Sequence, residues 1–173
     1  LRTSKKEARF KQGGELMRRE IILTARGYQR LKEELDYLKA VRRKDIRERL
    51  RESLDFGEVG ENPEYEELKR EQAMVEGRIE ELEAILSLAR VLEEDSINTE
   101  SVDIGSKVTV LDLDTQQTSQ FTIVDPLEAN PREGYLSVES PIGSALLNKK
   151  KGDEAVVKVP AGTRRLKIVD ISK

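Results

Sequence analysis

From Thr24 to about Asp55 apolar residues return every three or four positions: Tyr28, Leu31, Leu35 and Leu38, then Ile46, Leu50 and Leu54. This is the period of an α-helix with one buried face, and Thr24 is a suitable N-cap. A helix of that length spans about 45 Å. A second helix is predicted from Pro63, with Asn62 as N-cap and the proline at N1, where a missing N–H costs nothing. Tyr65, Leu68, Gln72, Val75, Ile79, Leu82, Leu86 and Ala89 then form a heptad seam with one polar position. Glutamates dominate its other faces, as suits a solvated surface. The short Gly- and Pro-containing turn between the helices favours an antiparallel hairpin over a long dimeric coiled coil.

Beyond residue 96 the period changes from helical to alternating. KVTVLDL (107–113), QFTIVD (120–125), GYLSVES (134–140), EAVVKVP (154–160) and RRLKIVDI (164–171) are strand candidates. PIGSALLN (141–148) reads as one short helix beginning at Pro141, and Asn130-Pro131, Glu133-Gly134, Gly152-Asp153 and Ala161-Gly162 mark turns. The predicted fold class is therefore α+β: an antiparallel coiled-coil hairpin over residues 17–96, a polar linker at 97–103, and an antiparallel β domain with one short helix at 104–173. Residues 1–16 lack periodicity and are read as a flexible extension. A basic nucleic-acid-binding arm is the alternative reading of the same residues.

Composition narrows the chemistry. Of the 173 residues 38% are charged and 36% hydrophobic, a balance suited to long solvated helices rather than one large core. Cys and His are both absent, which excludes disulfides, thiolate and imidazole metal sites, and nucleophile–His triads. The formal charge of −3 gives no whole-molecule attraction to nucleic acid. No apolar run approaches the roughly 20 residues that span a bilayer, and no signal peptide is visible, so a cytoplasmic protein without a membrane partner is expected.

Two clusters carry candidate chemistry. The turn DFGEVGENPEYEE (55–67) gathers Glu58, Glu61 and Glu64. Carboxylates suit a hard cation such as Mg2+, which often takes one or two protein carboxylates and leaves its other positions to water or phosphate. Glu58 and Glu61 would make an open, weak metal site that another molecule must complete. The plainer reading is that acidic residues at a helix N-terminus complement its dipole. The other cluster lies on the first helix, where Lys39, Arg42, Arg43, Lys44, Arg47, Arg49 and Arg51 face only Asp45 and Glu48. It would hold a phosphate backbone, or be absorbed by surface ion pairs with the glutamates of the second helix.

LTARGYQRLKEELDYLKAVRR, GEVGENPEYEELKREQAMVEGRIEELEAIL and SPIGSALLNKKKGDEAVVKVPAG, in that order, resemble the bacterial Gre transcription elongation factors, closest to the GreA branch. The resemblance runs from residue 22 to about 171. It implies an FKBP-like C-terminal domain without isomerase activity, docked at the rim of the RNA polymerase secondary channel. It implies further that the coiled coil enters the channel; the hairpin reading itself favours a monomer. Tip carboxylates there help hold a polymerase Mg2+ that cuts the 3′ end of backtracked RNA. The factor is then not an enzyme on its own.

The family tip reads Gly-Asp-Leu-x-Glu-Asn-x-Glu-Tyr, and this chain has Gly57-Glu58-Val59-Gly60-Glu61-Asn62-Pro63-Glu64-Tyr65. The resemblance gives Glu58 and Glu61 the ion-positioning role, matches Asn62 and Tyr65 to the family pattern, and sets Lys69 at the family's basic position after the tip. Together with Arg42, Arg43 and Arg47 of the basic cluster these are the expected RNA and tip support. It sets Glu139, Ser140 and Pro141 against polymerase. Glu58 stands in place of aspartate, and Leu54 where a basic residue is common. These departures, with Gly60 inside the tip, motivate an alternative, a secondary-channel regulator that docks without efficient cleavage or inhibits. A coiled-coil scaffold unrelated to transcription is a third reading.

Overall fold

The computed structural model describes residues 19–55 and 62–173. The chain divides into two units: residues up to Ile21 with Tyr28–Ala89, and Ile22–Gly27 with Arg90–Lys173.

In chain order the elements are β1 (Ile22–Thr24), α1 (Ala25–Tyr37), a π-helical turn (Leu38–Arg42), α2 (Arg43–Asp55), α3 (Pro63–Leu88) and β2 (Arg90–Leu92). After a 3-10 turn at Glu94–Ser96 come β3 (Lys107–Asp112), β4 (Thr118–Val124), β5 (Tyr135–Ser137), α4 (Pro141–Leu146), β6 (Glu154–Val159) and β7 (Gly162–Ser172), with further 3-10 turns at Pro126–Glu128 and Pro131–Glu133.

In the first unit α1, the π turn and α2 form one helical run that pairs antiparallel with α3. Contacts at Ser53–Asn62, Arg43–Glu76 and Lys39–Glu83 rise in number on one side as they fall on the other. Leu31, Ile46, Leu50, Leu68, Ile79, Leu82 and Ile85 are the buried apolar residues of these paired helices. Tyr65 and Val75 pack against the Ile46–Leu50–Leu68 cluster.

Two details of the stripe differ from expectation. Leu38 and Ile46 are eight residues apart, one more than a single heptad of seven, and the π turn absorbs the extra residue. Beyond it the seam runs Ile46, Leu50, Ser53. Leu54, expected on the buried stripe, is therefore 55% exposed, and Ser53 takes the inner position at 8%. On α3 the buried residue near the end is Ile85 rather than Leu86. A 3.5-residue repeat counted from Leu82 falls between the two.

The second unit holds a five-stranded sheet of order β5-β4-β3-β7-β6. All five expected strands and the short helix form. The sheet is mixed rather than wholly antiparallel, because β5 runs parallel to β4. The segment between them, with its two 3-10 turns, carries the chain back alongside the last three residues of β4, with Tyr135 opposite Thr122. A separate parallel pair, β1 with β2, was not expected from the sequence. Three-residue strands are too short for an alternation to register.

The core of this unit comprises Val102, Val108, Val110, Ile123, Leu146, Ala155, Val157, Leu166, Ile168 and Ile171. Val102 lies in the segment read as a polar linker. It is fully buried, its N–H bonds Lys149 O at 2.8 Å, and its carbonyl accepts from Asn148 N–H at 2.8 Å. A β-bulge at Val169 lets β7 keep Ile168 and Ile171 inward on either side of two exposed residues.

Candidate functional site

The acidic turn is approached by two helix ends that a single side chain ties together. Asn62 is extended, and its Oδ1 accepts the Tyr65 N–H at 3.3 Å, capping α3 with Pro63 at N1. Its Nδ2 donates to Ser53 O, near the end of α2, at 3.3 Å. Ser53 itself turns inward and donates to Leu50 O at 3.0 Å. Tyr65, half-buried, anchors the first turn of α3 on the Ile46–Leu50–Leu68 cluster. The two helices that flank the acidic turn are thus joined at its base by a cap, a cross-helix hydrogen bond and an aromatic contact. Glu58 and Glu61, with Gly60, lie outside the described residues. Among the described residues no group of three or more carboxylates could hold a metal ion.

The basic cluster on the first helical run is largely neutralised. Arg42 pairs with Glu71 and with Asp45. Arg43 meets Glu76 through two parallel bonds, Nε to Oε1 and Nη2 to Oε2, both 2.8 Å. That fork holds the Glu76 carboxyl below the usual range and raises the Arg43 guanidinium. Lys39 pairs with Glu83, and Arg49 reaches Asp45 and Glu71. Of the ion-pairing and phosphate-binding readings of this cluster, the structure realises the ion pairs for Arg42 and Arg43. Arg47 differs: among the described residues it makes no hydrogen bond or ion pair, and its charge acts on Glu76 only at longer range. Lys69, exposed on α3, donates to Gln72 Oε1 at 3.1 Å.

Glu139, Ser140 and Pro141 form the entry to α4. Ser140 is the N-cap: its Oγ accepts Gly143 N–H at 3.0 Å and donates to Ser137 O at 2.7 Å. The Glu139 N–H bonds Ser137 Oγ at 3.0 Å. A Cβ on Gly143 would sit 2.0 Å from Ser137 O, so only glycine allows this loop to close on β5. Glu139 and Pro141 are left exposed on a fixed loop.

Sequence reasoning missed Glu128. It is 5% exposed, its Oε2 accepts the Thr24 N–H at 2.7 Å and its Oε1 the Thr24 hydroxyl at 2.6 Å. Thr24 caps α1 by accepting Gly27 N–H at 3.1 Å. A Cβ on Gly27 would lie 1.9 Å from the Glu128 carboxyl, so the glycine makes room for it. Burial raises the Glu128 pKa, against the opposing pull of its bonds to Thr24. Beside it Arg26 stacks 4.1 Å over the Tyr135 ring and bonds Glu133 at 2.8 Å. Gly27, in the first turn of α1, was the available signal, since a glycine inside a helical pattern often marks a close approach.

A helical hairpin with an acidic turn, followed by a mixed β domain, defines a class of two-part factors. The N-terminal model of the transcription elongation factors matches residues 21–91, and the GreA/GreB C-terminal model matches residues 97–173. The chain belongs to the GreA/GreB family. It is 46% identical over 155 residues to the transcription elongation factor GreA of Alkaliphilus oremlandii, covering 90% of this chain and 98% of that one. Against the GreA of Thermoanaerobacter pseudethanolicus the identity is also 46%, over 157 residues, covering 91% and 100%. Among solved structures, GreA factor homolog 1 (Gfh1) of Thermus thermophilus matches at 33% identity and a TM-score of 0.42, covering 90% of this chain and 100% of that one.

Proposed function

We propose that this chain is a transcription elongation factor acting on bacterial RNA polymerase, and that it stimulates the polymerase's own cleavage of the 3′ end of backtracked RNA. The observation that carries the reading is the base of the acidic turn, where Asn62 caps α3 and holds Ser53 O of α2. Catalysis through side chains on a turn needs that turn to be held in place, because a misplacement near 1 Å can cost about 100-fold. The GreA names of its relatives support the same reading.

In this proposal the chemistry belongs to polymerase, and the factor completes a site rather than forming one. Carboxylate oxygens are the donors Mg2+ prefers, so Glu58 and Glu61 would hold the ion together with polymerase ligands. When bound, the ion stabilises the charge that develops in phosphoryl transfer. The chain's own residues supply position: Asn62 and Tyr65 hold the turn, Lys69 and Arg47 carry positive charge for the RNA, and Glu139, Ser140 and Pro141 dock on the channel rim. Arg42 and Arg43, already bonded to Glu71 and Glu76, act as struts between the helices.

The test uses a backtracked elongation complex with matching polymerase and Mg2+. The chain should accelerate release of 3′-terminal RNA fragments. Glu61→Ala should abolish the acceleration while polymerase binding persists. No acceleration over polymerase alone would overturn the proposal. It would favour the second reading, a regulator that occupies the channel without cutting, which the exposed Leu54 supports because it presents no charge to RNA.

A further inference from the structure

Strand β6 is one end of the five-stranded sheet, and among the described residues no strand pairs with its outer edge. Val159 pairs with Gly162 across the two-residue turn Pro160-Ala161. In such a hairpin the closing pair exchanges hydrogen bonds and the pairs then alternate. Val159, Val157 and Ala155 therefore bond to β7, and the backbone groups of Glu154, Val156 and Lys158 point to the open edge. The Leu113 N–H, which donates to Arg165 O at 2.9 Å, agrees with this phase, since Arg165 lies opposite Val156 and turns its carbonyl the other way.

The side chains at those three positions read acidic, apolar, basic, and all are exposed, Val156 at 63%. Neither Glu154 nor Lys158 makes an ion pair among the described residues, although Lys167 lies across from Glu154 on β7. Arg165, across from Val156, is held by Asp114 at 3.0 Å. Edge strands usually carry charges that repel another strand. Here the charges are arranged so that one register accepts them.

We propose that β6 is a self-association surface, pairing antiparallel with β6 of a second copy about a two-fold axis at Val156. In that register Glu154 faces Lys158 of the partner copy, Lys158 faces its Glu154, and the two Val156 side chains meet. All three outward-facing residues fall in hydrogen-bonded pairs, giving six backbone bonds. Shifting by one pair in one direction sets Glu154 against Val156. Shifting in the other sets Glu154 against Pro160, which has no N–H. A parallel arrangement sets like charges together. The surface is thus self-complementary in one arrangement, as an isologous contact requires.

The test is sedimentation of the full chain over a wide concentration range. The mass should rise from one chain towards two. Lys158→Glu places two glutamates opposite each other at two symmetric sites and should weaken the association about tenfold. The exchange Glu154→Lys with Lys158→Glu restores both pairs and should return the dissociation constant to the original value. A mass of one chain at every concentration would overturn the proposal. So would association that ignores Lys158→Glu, or that the exchange fails to restore.

Discussion

In the hairpin, charged side chains pair across the helix seam at the surface, as in Arg43–Glu76, Lys39–Glu83 and Arg78–Glu34. In the β unit, carboxylates are taken inside. Asp112 is 2% exposed and Glu128 5%, each with its hydrogen bonds satisfied. The two units differ as much in their cores. The β unit gathers ten buried residues in one cluster, whereas the hairpin buries a single line of side chains along its seam. A seam fixes the register of two helices with little apolar area, so its ion pairs tune register more than stability. A closed core tolerates buried carboxylates because the surrounding backbone supplies donors.

Truncating the two cores probes that contrast most strongly. Leu82→Ala in the seam and Ile168→Ala in the sheet both remove fully buried side chains. Each should cost about 2–5 kcal/mol by denaturant unfolding. Hydrogen exchange should place each loss in its own unit. Equal loss of protection in both units would show that they unfold as one and break the comparison.

Asn62→Ala should cost about 1–2 kcal/mol, since it removes a cap and a cross-helix bond. Faster exchange should appear at the amides of Tyr65 and Glu66 and leave β3 and β7 unchanged.

The buried carboxylates of the β unit titrate with opposite signs. Backbone N–H groups at Thr115 and Asp114 and the Arg164 guanidinium hold Asp112 below its usual pKa, the Thr115 bond contributing most. Its stabilisation is present above the unfolded value of about 3.9 and is lost as pH falls through the folded one. Asp112→Asn should flatten that acid limb in pH-dependent unfolding. Glu128, raised by burial, contributes stability that is complete below about pH 4.3 and lost as pH rises through its folded pKa. Glu128→Gln keeps an acceptor for the Thr24 N–H and should remove that fall. The same variant in the hairpin, Glu76→Gln, should change stability by only about 0.2–1 kcal/mol, and added salt should erase most of the difference.

The regular parts of this fold were legible because a period in sequence becomes a face in space. Asn62 and Pro63 announced the start of α3, and alternation announced all five strands of the sheet. Three features were hidden for physical reasons. The parallel β4–β5 pairing depends on the path of the intervening loop and not on either strand's own pattern. The π turn was written only as an eight-residue gap between Leu38 and Ile46, and its consequence was the exchange of Ser53 for Leu54 inside the seam. Glu128 gave no sign in its own segment, because a buried acid is specified by partners 104 residues away, where Gly27 alone hinted at a close approach. At the site, the cap function of Asn62 was readable from spacing. Its second bond, to Ser53 O, required the two helices to be brought together.

That second bond supplies the most direct measurement. Asn62→Ser keeps an N-cap oxygen for Tyr65 but is too short to reach Ser53 O, so it separates capping from bracing. The rate of 3′-fragment release from a backtracked complex is compared for the two proteins at saturating concentration. Release should slow by about tenfold or more with Asn62→Ser while the helices unfold at nearly the same denaturant concentration. Equal rates would contradict the claim that the cross-helix brace positions the acidic turn.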